Sequence, residues 1–384
     1  MSEQGPNGQP PAWTSYAHPA YPPPQQWGPP YPPHPDPALW AAPGHTMRPP
    51  RMPSFPHPEP REYHQMLRTW NYAWWKPIVG ILFFIAVFLA AQLLALVAVA
   101  VVSPGPAAAD LERLSDLSSI TPTLLLSVNL SLGAMILVAW LTMRVMHRMR
   151  LRWLTSVVPK MRWGFLWVCV AISVVALIAQ IAVGLVVPGA ESGEVGGLND
   201  FTRTTAILAV IVLLTTPLQA AGEEYVFRGY LMQAFGSFWS FSWVPPWGAR
   251  WIAIVSTSAL FALAHGAQNF PLFFDRFMFG MIAGWLVIRT GGIEAGIAMH
   301  VLNNFLAFGF ALSFGDLGES LTITETSWWQ IPVTLTQAGV YAALVVLVAR
   351  RMDLQRRTNP PRERTYELGS QSQLLSPSRV PSGA

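Results

Sequence analysis

Apolar residues fall into eight long stretches along the chain, near 77–102, 122–143, 163–187, 204–226, 251–268, 271–288, 292–313 and 328–349. A helix rises ~1.5 Å per residue and the hydrocarbon core of a bilayer is ~30 Å thick, so a run of ~20 apolar residues suffices to cross it. The pattern predicts an all-α, polytopic transmembrane helical bundle of about eight spans. The pair within 251–288 is the least regular, because His265, Gln268, Asn269, Asp275 and Arg276 crowd a very short connection, and a re-entrant segment remains open there. The first sixty residues contain no apolar core of a cleavable leader, so the first span is expected to act as its own insertion signal.

Composition supports a membrane rather than an aqueous solvent: 52% of residues are hydrophobic, 11% are charged, and the mean hydropathy is +0.35. Loop charge predicts the orientation. Basic residues gather before the first span (Arg48, Arg51, Arg61, Arg68, Lys76), after the second (Arg144, Arg148, Arg150, Arg152, Lys160, Arg162), at Arg250 and Arg289, and after the last (Arg350, Arg351, Arg356, Arg357). The alternate loops hold Arg113, Arg203 and Arg276 with ten acids, among them Asp110, Glu191, Asp200, Asp316 and Glu325. By the positive-inside rule both termini are expected in the cytoplasm of a multi-pass protein of the cell membrane. The basic loops account for a pI near 9.4 without nucleic acid, and they favour anionic lipid headgroups of the bilayer. Cys169, the single cysteine, lies inside an apolar stretch and reads as structural rather than nucleophilic.

Residues 1–60 carry 20 of the 35 prolines and have no apolar periodicity. The expected organisation is a disordered, Pro-rich cytoplasmic tail over 1–62, a transmembrane domain over 63–351, and a second disordered tail over 352–384. A Pro-recognising partner of the first tail is the functional alternative to a merely solvated one.

Ionisable groups in a span cost roughly 2.5–3.5 kcal/mol each on insertion scales, so they mark functional candidates. Three clusters stand out: Glu223-Glu224-x-x-x-Arg228, Phe261-x-x-x-His265 and His300-x-x-x-Asn304. Glu224 and Arg228 have helical ion-pair spacing, which leaves Glu223 without such a partner. Pro217 is expected to kink the same helix and admit water. His300 and Asn304 share a helical face. Counted at ~1.5 Å per residue, the polar groups lie about 12–21 Å in from the basic-loop ends of their helices, which permits one shared layer.

In order and spacing these clusters resemble the three motifs of the CPBP membrane proteases, the family of the CaaX prenyl endopeptidases and of bacterial proteins linked to bacteriocin processing or immunity. The resemblance covers roughly 204–310. It implies an endopeptidase, possessing either a metal or a Glu/His-activated water, that cuts a membrane-associated peptide or protein entering from the cytoplasmic side. It further implies that Glu223 is the general base, that His265 helps to polarise the water, that His300 and Asn304 donate to the oxyanion, and that Glu224 with Arg228 positions Glu223. Two His and one or two Glu also make an adequate ligand set for one zinc ion, held by Glu223, His265 and His300, although no His-Glu-x-x-His spacing occurs. No Gly-x-Gly-Asp or Gly-x-Ser-x-Gly motif points to an aspartyl or serine enzyme. An ion-coupled transporter and a non-catalytic immunity or scaffold protein are the alternatives.

Overall fold

Each apolar stretch becomes a helix, and the polar punctuation supplies the caps. In the computed structural model, which describes residues 55–102, 120–187 and 197–359, these are α1 (Lys76–Val102), α2 (Pro122–Val145), α3 (Trp163–Gly184), α4 (Arg203–Glu224), α5 (Met232–Trp239), α6 (Pro246–Leu263), α7 (Phe270–Thr290), α8 (Glu294–Phe314) and α9 (Gln330–Arg351). Thr121 caps α2 through Leu124 N at 3.2 Å, Thr202 and Thr205 form a capping box at α4, and Asn269 caps α7 through Leu272 N at 3.2 Å. Gly291 ends α7 with φ +75°, a conformation that suits glycine.

The chain is a multi-pass membrane protein. Seven helices among the described residues are long and apolar enough to span a bilayer, the unit Arg203–Trp239 counting as one. The predicted span at 251–268 is the exception: α6 stops at Leu263, short of His265, and carries too many polar residues to qualify by composition. It nevertheless bridges the two ends of the bundle. Near its start, Arg250 is 2.8 Å from Glu62, whereas just beyond its end Asn269 N donates to Thr324 O at 2.7 Å. The basic-loop end also joins Arg61 N to Thr358 Oγ1 at 2.8 Å, Thr358 N to Arg61 O at 2.8 Å, and Val157 N to Gly291 O at 2.8 Å. The flanks of the first and last spans therefore meet at one end. The opposite end is tied by Asn199 N to Ser313 O at 2.8 Å.

Outward-facing Leu82, Leu89, Leu94, Leu137 and Leu214 are all exposed, a distribution that water would penalise and acyl chains accept. Inside, small residues allow close helix approach: a Cβ on Gly222 of α4 would collide with the Leu132 carbonyl of α2. The predicted tails 1–62 and 352–384 lie largely outside the described residues. Where the first is described, Phe55 and His57 pack on Trp153; just beyond it, Tyr63, Met66 and Leu67 are buried in the main core.

The paired flanks generate a topology prediction. Reporters fused after residues 45 and 360 should read the same side, the cytoplasmic one by loop charge, and reporters within 188–203 and 314–327 the other. Opposite readings at 45 and 360 would mean that α6 does not complete a crossing. A second expectation concerns pH. His64 is fully buried, with neither ring nitrogen hydrogen-bonded among the described residues and Glu62 3.7 Å away, and burial pushes its pKa down from 6.5 to about 4; burial does the same to His57. Both folded values lie below the unfolded one, so the stability linked to them is complete above pH 6.5 and is lost as pH falls towards 4. The thermal unfolding temperature in detergent should drop across that window, and by less in His64→Gln.

Candidate active site

Two i, i+4 pairs on α4 and its continuation organise the polar centre. Beyond Glu224 the helix widens into a π-helical segment, Tyr225–Leu231, before returning to α-helix at α5. Such segments gather at functional sites because the extra residue re-aims the side chains that follow. The α4 helix itself is continuous through Pro217.

Glu224 and Arg228 are both essentially inaccessible, and Arg228 Nη1 donates to Glu224 Oε1 at 2.8 Å. The guanidinium carbon lies 4.1 Å from the ring centre of Phe261 on α6 and 5.1 Å from that of Phe279 on α7, two cation–π contacts that offset part of its lost hydration. His300 Nδ1 faces the same Glu224 Oε1 at 3.1 Å. Among the described residues Glu224 Oε2 and Arg228 Nη2 have no hydrogen-bond partner. Glu224 Oε2 occupies space that a Cβ on Gly296 of α8 would fill.

Glu223, rotated away from that pair, is also buried but is held by an amide rather than a cation: Gln219 Nε2 donates to its Oε1. Its Oε2 lies 3.9 Å from His300 Nε2. Asn304 Nδ2 in turn donates to Gln219 Oε1 at 2.9 Å, so one amide links the α4 carboxylate to the α8 asparagine. His265 follows the end of α6 and is exposed, while the Phe261 ring touches both it and His300, with centroids at 4.8 and 5.8 Å. Because His265 Nδ1 is 2.8 Å from the Phe261 carbonyl, Nδ1 carries the hydrogen and Nε2 is left as an acceptor.

The structure thus collects Glu223, Glu224, Arg228, Phe261, His265 and His300 around one aromatic pair and attaches Asn304 through Gln219. It does not gather the zinc set expected at Glu223, His265 and His300: among the described residues no three His, Cys, Asp or Glu are arranged to hold a metal ion. One oxygen of each carboxylate is already taken by nitrogen donors. Three contributors escaped the sequence reading. Gln219 was signalled by its i, i+4 spacing to Glu223, which is not without a helical partner after all; Gly296 stands one turn before His300; Phe279 had no distinguishing signal.

Residues 204–306 match the Rce1-like family of type II CAAX prenyl endopeptidases. Every residue of the cluster falls within that segment. At family level the match supports a CAAX-protease-like intramembrane endopeptidase, a peptide hydrolase. The uncharacterized protein YyaK of Bacillus subtilis (strain 168) is 24% identical over 222 residues, covering 52% of this chain and 69% of that protein. No solved structure matches significantly.

Breaking a buried ion pair by removing one partner costs about 3–5 kcal/mol. Glu224→Gln, which strands Arg228, should therefore lower both the unfolding temperature and the yield of folded protein. Gly296→Ala should do likewise by displacing Glu224, whereas Gly309→Ala on the same helix, where an added Cβ meets nothing within 4 Å, should not. Equal behaviour of the two glycine variants would show that the carboxylate does not need that space.

Proposed function

We propose that the protein is an intramembrane endopeptidase that hydrolyses a peptide bond of a membrane-associated protein or peptide with water activated by Glu223 and His265. The observation that carries this reading is a carboxylate kept in the apolar interior by an amide instead of a cation, with His300 of α8 3.9 Å away and His265, just past the end of α6, against the same Phe261 ring as His300. In this mechanism the water donates one hydrogen to Glu223 and the other to His265 Nε2. Glu223 takes a proton as the water oxygen attacks the scissile carbonyl carbon. The developing oxyanion receives a hydrogen bond from Asn304, through the Nδ2 hydrogen not directed at Gln219, while His300 directs its Nδ1–H at Glu224, and Glu223 passes its proton to the departing amine as the C–N bond breaks. Arg228 and Glu224 hold the helix face that aims Glu223. The residues as arranged do not fit a tightly held zinc ion, and no step is routed through one. The transporter and scaffold alternatives gain nothing from the family match.

Residues 264–267 are exposed and lead from the His265 edge to Asn269 at the acidic-loop end, while the opposite side of the cluster is closed by Tyr63, Leu154, Ala295 and Tyr341, all inaccessible. Non-helical backbone at membrane depth persists where it lines a wet cavity. In this reading the scissile segment approaches from the acidic-loop end, not from the basic-loop, cytoplasmic end that the sequence reading expected.

Glu223→Gln keeps the shape of the side chain and removes the base. It should reduce cleavage by 10²-fold or more without lowering membrane accumulation, which a comparison of membrane-associated peptides from wild-type and variant cells, joined to an unfolding measurement, would read. Full activity in this variant would end the proposal. Activity should also survive exhaustive chelation in protein free of stoichiometric metal; loss restored by zinc would reinstate the metal mechanism. Finally, Ala267→Cys should react with an impermeant maleimide from the side that exposes the 188–203 loop.

A further inference from the structure

The basic-loop end holds a cavity of about 570 Å³ that the peptidase chemistry does not use. Its walls are the start of α6, the end of α7 and the segment that follows α9, and four guanidiniums, Arg250, Arg289, Arg356 and Arg357, face one carboxylate, Glu62. Arg250 and Arg357 are committed to Glu62 at 2.8 and 2.9 Å. Among the described residues Arg289 and Arg356 have no ion-pair partner, and Arg250 Nε is a buried N–H without an acceptor. Arg289 stacks over Trp285 at 5.0 Å, which fixes its direction. A smaller cavity of about 120 Å³ adjoins it and shares Arg289 and Arg356.

The arginines after α9 are not carried on a loose tail. Asp353 turns the chain with φ +47°, the Gln355 carbonyl rests where only a glycine, Gly291, leaves room, and Thr358 is tied to Arg61. The remaining walls are apolar: Trp251, Trp285, Ile288 and Leu354. Trp251 and Trp285 lie where apolar α6 begins and α7 ends, the level at which tryptophans meet headgroups. A fixed group of cations with a surplus over acid, open at the interface and floored by aromatic and aliphatic side chains, fits a phosphate that carries hydrocarbon.

We propose that this cavity binds the phosphate of an anionic phospholipid, with Arg289 and Arg356 as its principal donors. The test uses the full chain in detergent, with native mass spectrometry after addition of phosphatidylglycerol or phosphatidylcholine. Phosphatidylglycerol should be retained at least fivefold better, and Arg289→Gln/Arg356→Gln should remove that preference while leaving the unfolding temperature unchanged, because both side chains are exposed. Arg144→Gln/Arg148→Gln, which removes equal charge outside the cavity, should keep it. Equal retention of the two lipids, equal loss in both double variants, or an unaltered preference in Arg289→Gln/Arg356→Gln would overturn the proposal. Displacement of phosphatidylglycerol by millimolar inorganic phosphate would overturn the lipid assignment in favour of a free-phosphate site.

Discussion

Burying Arg228 is the constraint around which the rest of the bundle is arranged. A guanidinium moved out of water loses several kcal/mol of hydration, and no single contact restores it. Here Glu224 supplies the countercharge from the preceding turn, while Phe261 and Phe279 present their faces from α6 and α7. His300 of α8 then completes the far side of Glu224. Four helices are thereby drawn to one point. Because the ion pair fixes Glu224, the neighbouring Glu223 is aimed in a different direction, where Gln219 rather than an arginine meets its carboxylate.

The same centre is closed on one side and open on the other. At the basic-loop end Arg162 grips Glu294 through two parallel contacts of 2.7 and 2.6 Å and also bonds the Thr290 carbonyl at 2.7 Å, which locks the entry of α8 to the connection before α3. Opposite, α6 ends early and leaves exposed backbone beside His265. The two sides of the centre thus differ in exposure, while the turn past α6 is itself held by His265 N to Ala262 O at 3.2 Å and Gly266 N to Leu263 O at 3.1 Å.

Much of this was legible in the sequence, for reasons that can be named. Apolar length alone located the helices, and the spacing of Glu224 with Arg228 and of His300 with Asn304 reports directly on shared helical faces. Residue chemistry across different helices was not legible: nothing in 270–290 distinguishes Phe279 from the other aromatic residues of α7, because its role arises only when α7 packs on α6. The π-helical segment was not legible, because no proline or glycine pair announces its start. Proline density likewise gave no sign of the contacts that Phe55 and His57 make with Trp153.

The pairing of Arg61 with Thr358 joins positions 297 residues apart. At a synthesis rate of about 5–20 residues per second, roughly 15–60 s separate the emergence of the two partners from the ribosome. For that interval the N-terminal flank has no seat against the C-terminal strap, and Glu62 lacks Arg357. A chain arrested before Thr358 would hold its spans without the contact that joins the two flanks.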